Sequence, residues 1–351
     1  MTRPLVSICV PTCNRAAFLR QSLPTILAQT YEPLEILICD NGSTDETEAI
    51  CRAVLAKDAR VRYLRHPTNI GLYQNHNAAI RESRGALLCF FHDDDLYEPT
   101  IVAEYAAFLE AHAEVGLVCS DWELIDDDGK PIGIRRFGGP SVVSGQAYVE
   151  QTIRSGRSSL NCPGTMIRRT VLRGVRFDEA GPIGFGDIVV WFQVAEHSAV
   201  GHLPKRLWHY RIHRGSLSRR TILSMTQDYR TALRRYCADY LKRRPSHRRL
   251  VARWETAIDR FLFWSLVYEV GRHYRRQDGR QSVPNTIFDV IGYTLNPEEL
   301  QQAFALLKVY QRGLIKPCVR QLIELFVSSG HERPLRWITT WAPRLREALN
   351  R

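Results

Sequence analysis

Residues 86–99, ALLCFFHDDDLYEP, run from an apolar stretch directly into His92, Asp93, Asp94 and Asp95. The apolar half, rich in Leu, Cys and Phe, has the texture of a strand buried on both faces. Three adjacent carboxylates at its end repel one another, so something must compensate them. The same pattern, an apolar run ending in polar residues, occurs twice more. LVSICVP (5–11) leads into TCNR, and LEILICD (34–40) leads into NGSTD.

Two further strand-like runs are VRYLRH (61–66) and VGLVCSDWEL (115–124). Helical patterns lie between the runs. One carries Phe18, Leu19, Leu23, Ile26 and Leu27. A second spans about Asp45 to Ala56, where Ser43 and Glu46 have capping-box spacing. A third precedes Gly85, and a fourth runs from about Pro99 to Ala113. Strand and helix alternate four times, which predicts an α/β fold with a mainly parallel central sheet flanked by helices. Beyond about residue 215 strand signals fade. Apolar residues such as Trp254, Ile258, Phe261 and Leu262 recur at helical spacing between Arg-rich patches, predicting a C-terminal helical appendage.

Bulk properties narrow the class. The 351 residues are 44% hydrophobic and 24% charged, which fits a globular chain with a full core. No apolar run approaches the roughly 18 residues that span a bilayer, and MTRPLVSICVPTCN lacks a signal-peptide core. A cytoplasmic location is expected. Nine cysteines with no CxxC pair read as buried thiols in a reducing compartment. The formal charge of +11 is uneven: residues 201–351 hold 29 Lys and Arg against 12 Asp and Glu, or +17, leaving −6 for residues 1–200.

In a parallel sheet the three polar clusters share the carboxyl edge of the strands, where open α/β sheets bind ligands. Each cluster alone has a plain reading: Asn14 as a helix cap, DNGSTD as a turn, HDDD as a solvated loop. Three at one rim argue for a site. The turn PTCNRAAF contains no glycine, so a dinucleotide fingerprint is absent, and so is a P-loop. A hard divalent cation held by Asp93, Asp94 and Asp95 is the remaining route to a diphosphate.

VSICVPTCNR, LEILICDNGSTDET, NIGLYQNHNAAI and CFFHDDDLYEP together resemble the family 2 glycosyltransferases, inverting enzymes of GT-A fold. Weaker matches follow in CPGTMIRRTVLRGVRFDEA, GFGDIVVWFQVA and YRIHRGSLS, ending near residue 218. The resemblance implies a catalytic domain over 1–218, with 219–351 a basic helical region outside it. It implies that Asp40 accepts a hydrogen bond from the donor's nucleobase. Pro11, Thr12, Asn14 and Arg15 would lie against nucleoside and phosphates, and Asn69 and Gly71 would shape the base pocket. Asp94 resembles the metal-binding member of the DxD motif, with Asp93 near the ribose and Asp95 beside acceptor and donor sugar. Asp187 takes the place of the general base. His213 resembles a histidine that closes over metal and diphosphate, either as a neutral ligand or as a charged phosphate contact. Cys13 stands where the family has a stacking Tyr, and His92 where it often has Asp.

The expected activity is therefore metal-dependent (Mn or Mg), inverting transfer from a nucleotide-diphospho-sugar, UDP favoured, to a glycan or lipid-linked glycan. A catalytically inactive nucleotide-sugar-binding scaffold and a nucleotidyltransferase are the rivals. Arg211 and Arg214 are expected to pair with phosphate. The basic rear half predicts a helical bundle first and peripheral contact with an anionic inner membrane face second. Tyr240, Trp254, Trp264 and Tyr268 would be its interfacial aromatics. No motif supports nucleic acid as a partner.

Overall fold

Runs of Val, Ile, Leu and Cys make the first strands completely buried, and burial on both faces is what a central parallel sheet requires. The computed structural model describes residues 3–156, 158–213, 215, 222–259 and 261–262. Its strands are β1 (Val6–Thr12), β2 (Leu34–Asp40), β3 (Val61–Arg65), β4 (Leu87–Phe90), β5 (Leu96–Tyr97), β6 (Val115–Ile125), β7 (Pro131–Arg135), β8 (Val142–Val143), β9 (Thr165–Arg168) and β10 (Ala199–Arg211). Its helices are α1 (Ala16–Leu27), α2 (Thr47–Leu55), α3 (Leu72–Glu82), α4 (Ile101–Ala111), α5 (Gly145–Ser155), α6 (Gly186–Ala195) and α7 (Ile222–Arg243).

The sheet runs β3-β2-β1-β4-β9-β6-β10-β5, with β7 on β6 and β8 on β10. The first four strands are parallel, as expected. Beyond them β9 enters antiparallel to both β4 and β6, and β5 antiparallel to β10, so the sheet as a whole is mixed α/β. The short β5, β7, β8 and β9 carry too few residues for a period to show, and the sequence reading missed them.

Register aligns the rim. Thr12 pairs with Asp40, Asp40 with Arg65, and Cys9 with Phe90. Continuing that last pairing brings Thr12 level with Asp93. A bridge joins Phe90 to Pro163, which brings Cys162 to the same edge. The reversal of strand order falls between β1 and β4, the position where such sheets open a crevice.

The chain packs as two units: Met1–Thr152 with Arg157–Arg214, and Ile153–Gly156 with Gly215 onward. In the second, α7 and the helix at 248–259 bury Tyr236, Tyr240 and Trp254 against one another, with ring centroids 5.0 Å apart for Tyr240 and Trp254. Arg230 and Arg234 hold Asp259 at 3.2 and 2.6 Å. Tyr240 and Trp254 are thus core residues and not interfacial ones, because helix–helix packing claims their apolar area. Trp264, Tyr268, Arg214 and the region after residue 262 lie outside the described residues. Among those described, no helix is long and apolar enough to cross a membrane.

Candidate active site

Three loops at the carboxyl edge are stitched together by side chains of their own residues. Asn14, at φ 53°, accepts the Thr44 N–H at 2.8 Å and gives its own N–H to the Ser43 hydroxyl at 2.9 Å. Asp45 accepts from Ala16 N–H (3.1 Å) and Thr47 N–H (3.0 Å), one carboxylate serving the first turns of α1 and α2. The expected capping box is therefore not formed: Ser43 is occupied by Asn14, and Asp45 does the capping. Asn14 likewise does not cap α1. Asn41 reaches Asn69 Oδ1 at 2.9 Å and the Gly71 carbonyl at 3.2 Å, and accepts Ile70 N–H at 2.9 Å. Gly42 (φ 70°) is obligatory here, since a Cβ would sit 2.5 Å from the Thr68 carbonyl carbon.

Asp40 belongs to this group, but it is fully buried. Its carboxylate accepts Ser43 N–H at 2.9 Å and the Tyr63 hydroxyl at 2.6 Å, with Arg65 at 3.6 Å. Protein donors take up part of its accepting capacity. Its visible work is to hold the loop that carries Asn41, Gly42 and Ser43. Pro11 and Thr12 end β1 beside it. Asn69 Nδ2 points to Cys13 Sγ at 3.7 Å.

The carboxylates follow β4. Burial, and then the neighbouring Asp94 charge, push Asp93 up to about 8, opposed by Thr12 and Arg15. Asp95 lies well above the usual range for the same first two reasons, although Arg211 N–H donates to it at 2.8 Å. Burial also acts on Asp94, but the His213 hydrogen bond, His92 and Arg15 outweigh it and lower its pKa. Three acids this close do not ionise together unaided. Asp95 Oδ2 and His92 Nε2 are buried without a partner. His92, Asp94 and Asp95 each bring a ligand atom within 4.8 Å of the others. That chemistry fits a hard divalent ion, with His92, where the family often has Asp, as an additional donor.

His213, buried after β10, places Nε2 2.9 Å from Asp94 Oδ2 and 3.2 Å from Arg15 Nη1. One ring nitrogen cannot donate to Asp94 and accept from Arg15 at once, so the tautomer decides which it serves. Phe18 packs on the ring at 4.3 Å. Arg211, in contrast, is 2% exposed. It donates to the carbonyls of Asp94 (2.7 Å), Asp126 (3.2 Å) and Asp127 (2.9 Å). Its Nε and Nη1 are thus engaged by backbone carbonyls, and the side chain clamps the Asp94 backbone to the loop at 126–127.

Asp187 opens α6, one residue inside the helix, with Phe185 at the cap position. Its surface is partly open, yet burial among neighbouring atoms raises it to about 6 against the N–H groups of Ile188 and Cys162. A carboxyl near 6 can release and take a proton close to neutrality. The preceding turn is not free. Tyr73 of α3 accepts Gly184 N–H (3.1 Å) and Gly186 N–H (2.9 Å) and donates to Pro182 O (3.1 Å). Asn77, one turn on, pairs with both backbone groups of Phe177. α3 thus positions the turn that leads into Asp187 across more than a hundred residues of sequence. Tyr73 and Asn77 lie in the stretch NIGLYQNHNAAI, but nothing in it signals a contact with so distant a loop.

The groups converge. Asp40 and Asp93 both act on Cys13. His92 is close to Cys162 as well as to Asp94 and Asp95. The Cys162 backbone N–H acts on Asp187, lowering its pKa against the burial that raises it. The loops at 12–16 and 40–45, the acids at 93–95 and Asp187 therefore belong to one neighbourhood.

Comparison with known proteins agrees. Residues 7–175 match the family model described as Glycosyl transferase family 2. An uncharacterized glycosyltransferase of Rickettsia bellii (strain RML369-C) is 34% identical over 130 residues, 36% of this chain and 18% of that protein. A PGL/p-HBAD biosynthesis glycosyltransferase of Mycobacterium bovis (strain BCG / Pasteur 1173P2) is 37% identical over 123 residues, 34% of this chain and 48% of the relative. The chain thus spans less than half the length of these relatives. Among solved structures, S. aureus TarS 1-349 in complex with UDP-GlcNAc has TM-score 0.60 at 17% identity, covering 97% of this chain and 91% of that one. The mannosyltransferase PcManGT from Pyrobaculum calidifontis, in complex with GDP-Man and Mn2+, has TM-score 0.50 at 16% identity, covering 97% and 84%. At these identities the likeness shows a shared GT-A type fold.

Proposed function

We propose, from the premise that residues 7–175 are a glycosyl transferase family 2 domain, that the chain is an inverting glycosyltransferase acting on a nucleotide-diphospho-sugar. The acceptor is a hydroxyl of a glycan or lipid-linked glycan. The catalytic region is 1–218, and the basic region after it supplies peripheral contact with an anionic membrane face. The observation that carries the reading is the packing of Asp93, Asp94 and Asp95 into one buried rim that also reaches Asp187 through Cys162.

Asp94, aided by Asp93 or Asp95, His92 and His213, would hold a Mn or Mg ion, which as a Lewis acid stabilises a departing diphosphate. The protein's own groups do the rest. Arg15 adds positive charge beside Asp94. The loops at 12–16, 40–45 and 69–71 form the nucleotide side. Asp187 takes the proton of the acceptor hydroxyl as that oxygen bonds to the anomeric carbon, on the face opposite the leaving group. Inversion follows from that direct displacement.

TarS carries UDP-GlcNAc and PcManGT carries GDP-Man on this fold, so the test must span bases. Calorimetry of UDP and GDP, with and without Mn2+, is followed by a screen of nucleotide sugars for donor hydrolysis. Metal-dependent binding of UDP with release of UDP from a UDP-sugar is expected. Binding with no turnover across the donor and acceptor panel would make the chain a scaffold instead.

A further inference from the structure

His76, His92 and Cys162 come from three separate elements: α3, the segment after β4, and the segment before β9. Each offers a ligand atom within 4.8 Å of the other two. We propose that they form a second metal site, for a soft divalent transition metal of the zinc class, chemically distinct from the carboxylate site. Two independent features support it. His76 Nδ1 lies 2.8 Å from the Leu72 carbonyl, which can only accept, so Nδ1 carries the proton and Nε2 is left as a lone-pair donor. A hydrogen bond from the other ring nitrogen to a carbonyl is how metal-binding imidazoles are held in the ligating tautomer. His92 Nε2 is buried and has no hydrogen-bond partner.

The surroundings fit. Phe90 and Phe177 stand 5.0 Å from the His76 ring and make a dry wall. Tetrahedral zinc with bonds of about 2.0–2.3 Å needs ligand atoms about 3.3–3.7 Å apart. The donors therefore close by at most about 1.5 Å, which side-chain torsions supply. Imidazole and thiolate select a soft metal, whereas the neighbouring carboxylates select a hard one. Binding converts the Cys162 thiol to a metal thiolate and releases its proton to solvent. His92 adjoins both clusters, so occupancy here withdraws it from Asp94 and Asp95. The inference makes no use of the transfer reaction, and its failure would leave that reading intact.

The test uses full-length, metal-stripped protein in excess Mn2+, titrated with Co2+ and then Zn2+. One equivalent of Co2+ should produce a thiolate-to-cobalt charge-transfer band, bleached by Zn2+, and Zn2+ binding should release a proton. Cys162→Ser and His76→Gln should each weaken Co2+ binding by about 100-fold or more and remove the band. Asp94→Ala and Cys13→Ser should retain it. Absence of the band in native protein, its survival in Cys162→Ser, or its loss in Asp94→Ala would overturn the proposal. Should Cys162→Ser fail to fold by circular dichroism, the native proton release and His76→Gln decide.

Discussion

Tyr73→Phe isolates the role of a single oxygen. The ring would stay, with its stack on Phe177 at 5.5 Å, while the hydroxyl that collects Gly184 N–H, Gly186 N–H and the Pro182 carbonyl would be lost. Each such bond contributes about 1 kcal/mol net, and a buried group left unmatched costs about 1–3 kcal/mol. Gly184 is exposed and Gly186 buried, so water replaces the first partner and not the second. The net loss is about 2 kcal/mol, confined to the turn before Asp187. At 1.36 kcal/mol per decade this is about 30-fold. Amide exchange over residues 182–187 should accelerate by that factor while β1 and β2 stay protected. In a turnover assay kcat should fall by about 10- to 100-fold with nucleotide affinity unchanged, because the hydrogen bonds and ring contact of Tyr73 all go to residues 177–186 and none to the loops at 12–16 and 40–45. Unchanged exchange in 182–187, or an equal fall in nucleotide affinity, would refute the view that Tyr73 acts by fixing that turn.

Asp187→Asn should leave nucleotide binding intact and cut transfer by about 10²–10⁴, the usual worth of a positioned base; steady-state rates at saturating donor check it. Asp94→Ala should abolish the Mn2+ dependence of nucleotide binding, measured by calorimetry. Gly42→Ala forces a Cβ to 2.5 Å from Thr68 at positive φ, and should cost about 1–3 kcal/mol in urea unfolding and weaken nucleotide binding. Full-length protein should sediment with anionic vesicles at low salt and release at high salt; no binding at low salt would remove the membrane contact.

The sequence showed what depends on local pattern. Buried runs such as Val6–Thr12 and Leu34–Asp40 declare themselves by composition, and the polar residues that end them must then share one edge. Strands of two to five residues, such as Val142–Val143, have no period to read. Side-chain destinations were also hidden. Arg211 and Arg214 look alike in YRIHRGS, yet Arg211 is buried on three carbonyls, because whether an arginine meets solvent depends on the strand that carries it. Asp40 reads as a ligand residue from its motif, and only the positions of Tyr63 and Arg65 show its carboxylate already engaged. Asp187 was legible through its neighbours, whereas Tyr73, which fixes the turn before it, was not.

Asp45, with one oxygen on the backbone of each of two helices, has a consequence for engineering. The stretches 13–16 and 41–47 behave as one mechanical part, so neither can be exchanged for a homologous loop alone without stripping the other helix of its anchor. Attempts to retune donor choice by grafting would have to transplant both stretches as a matched cassette.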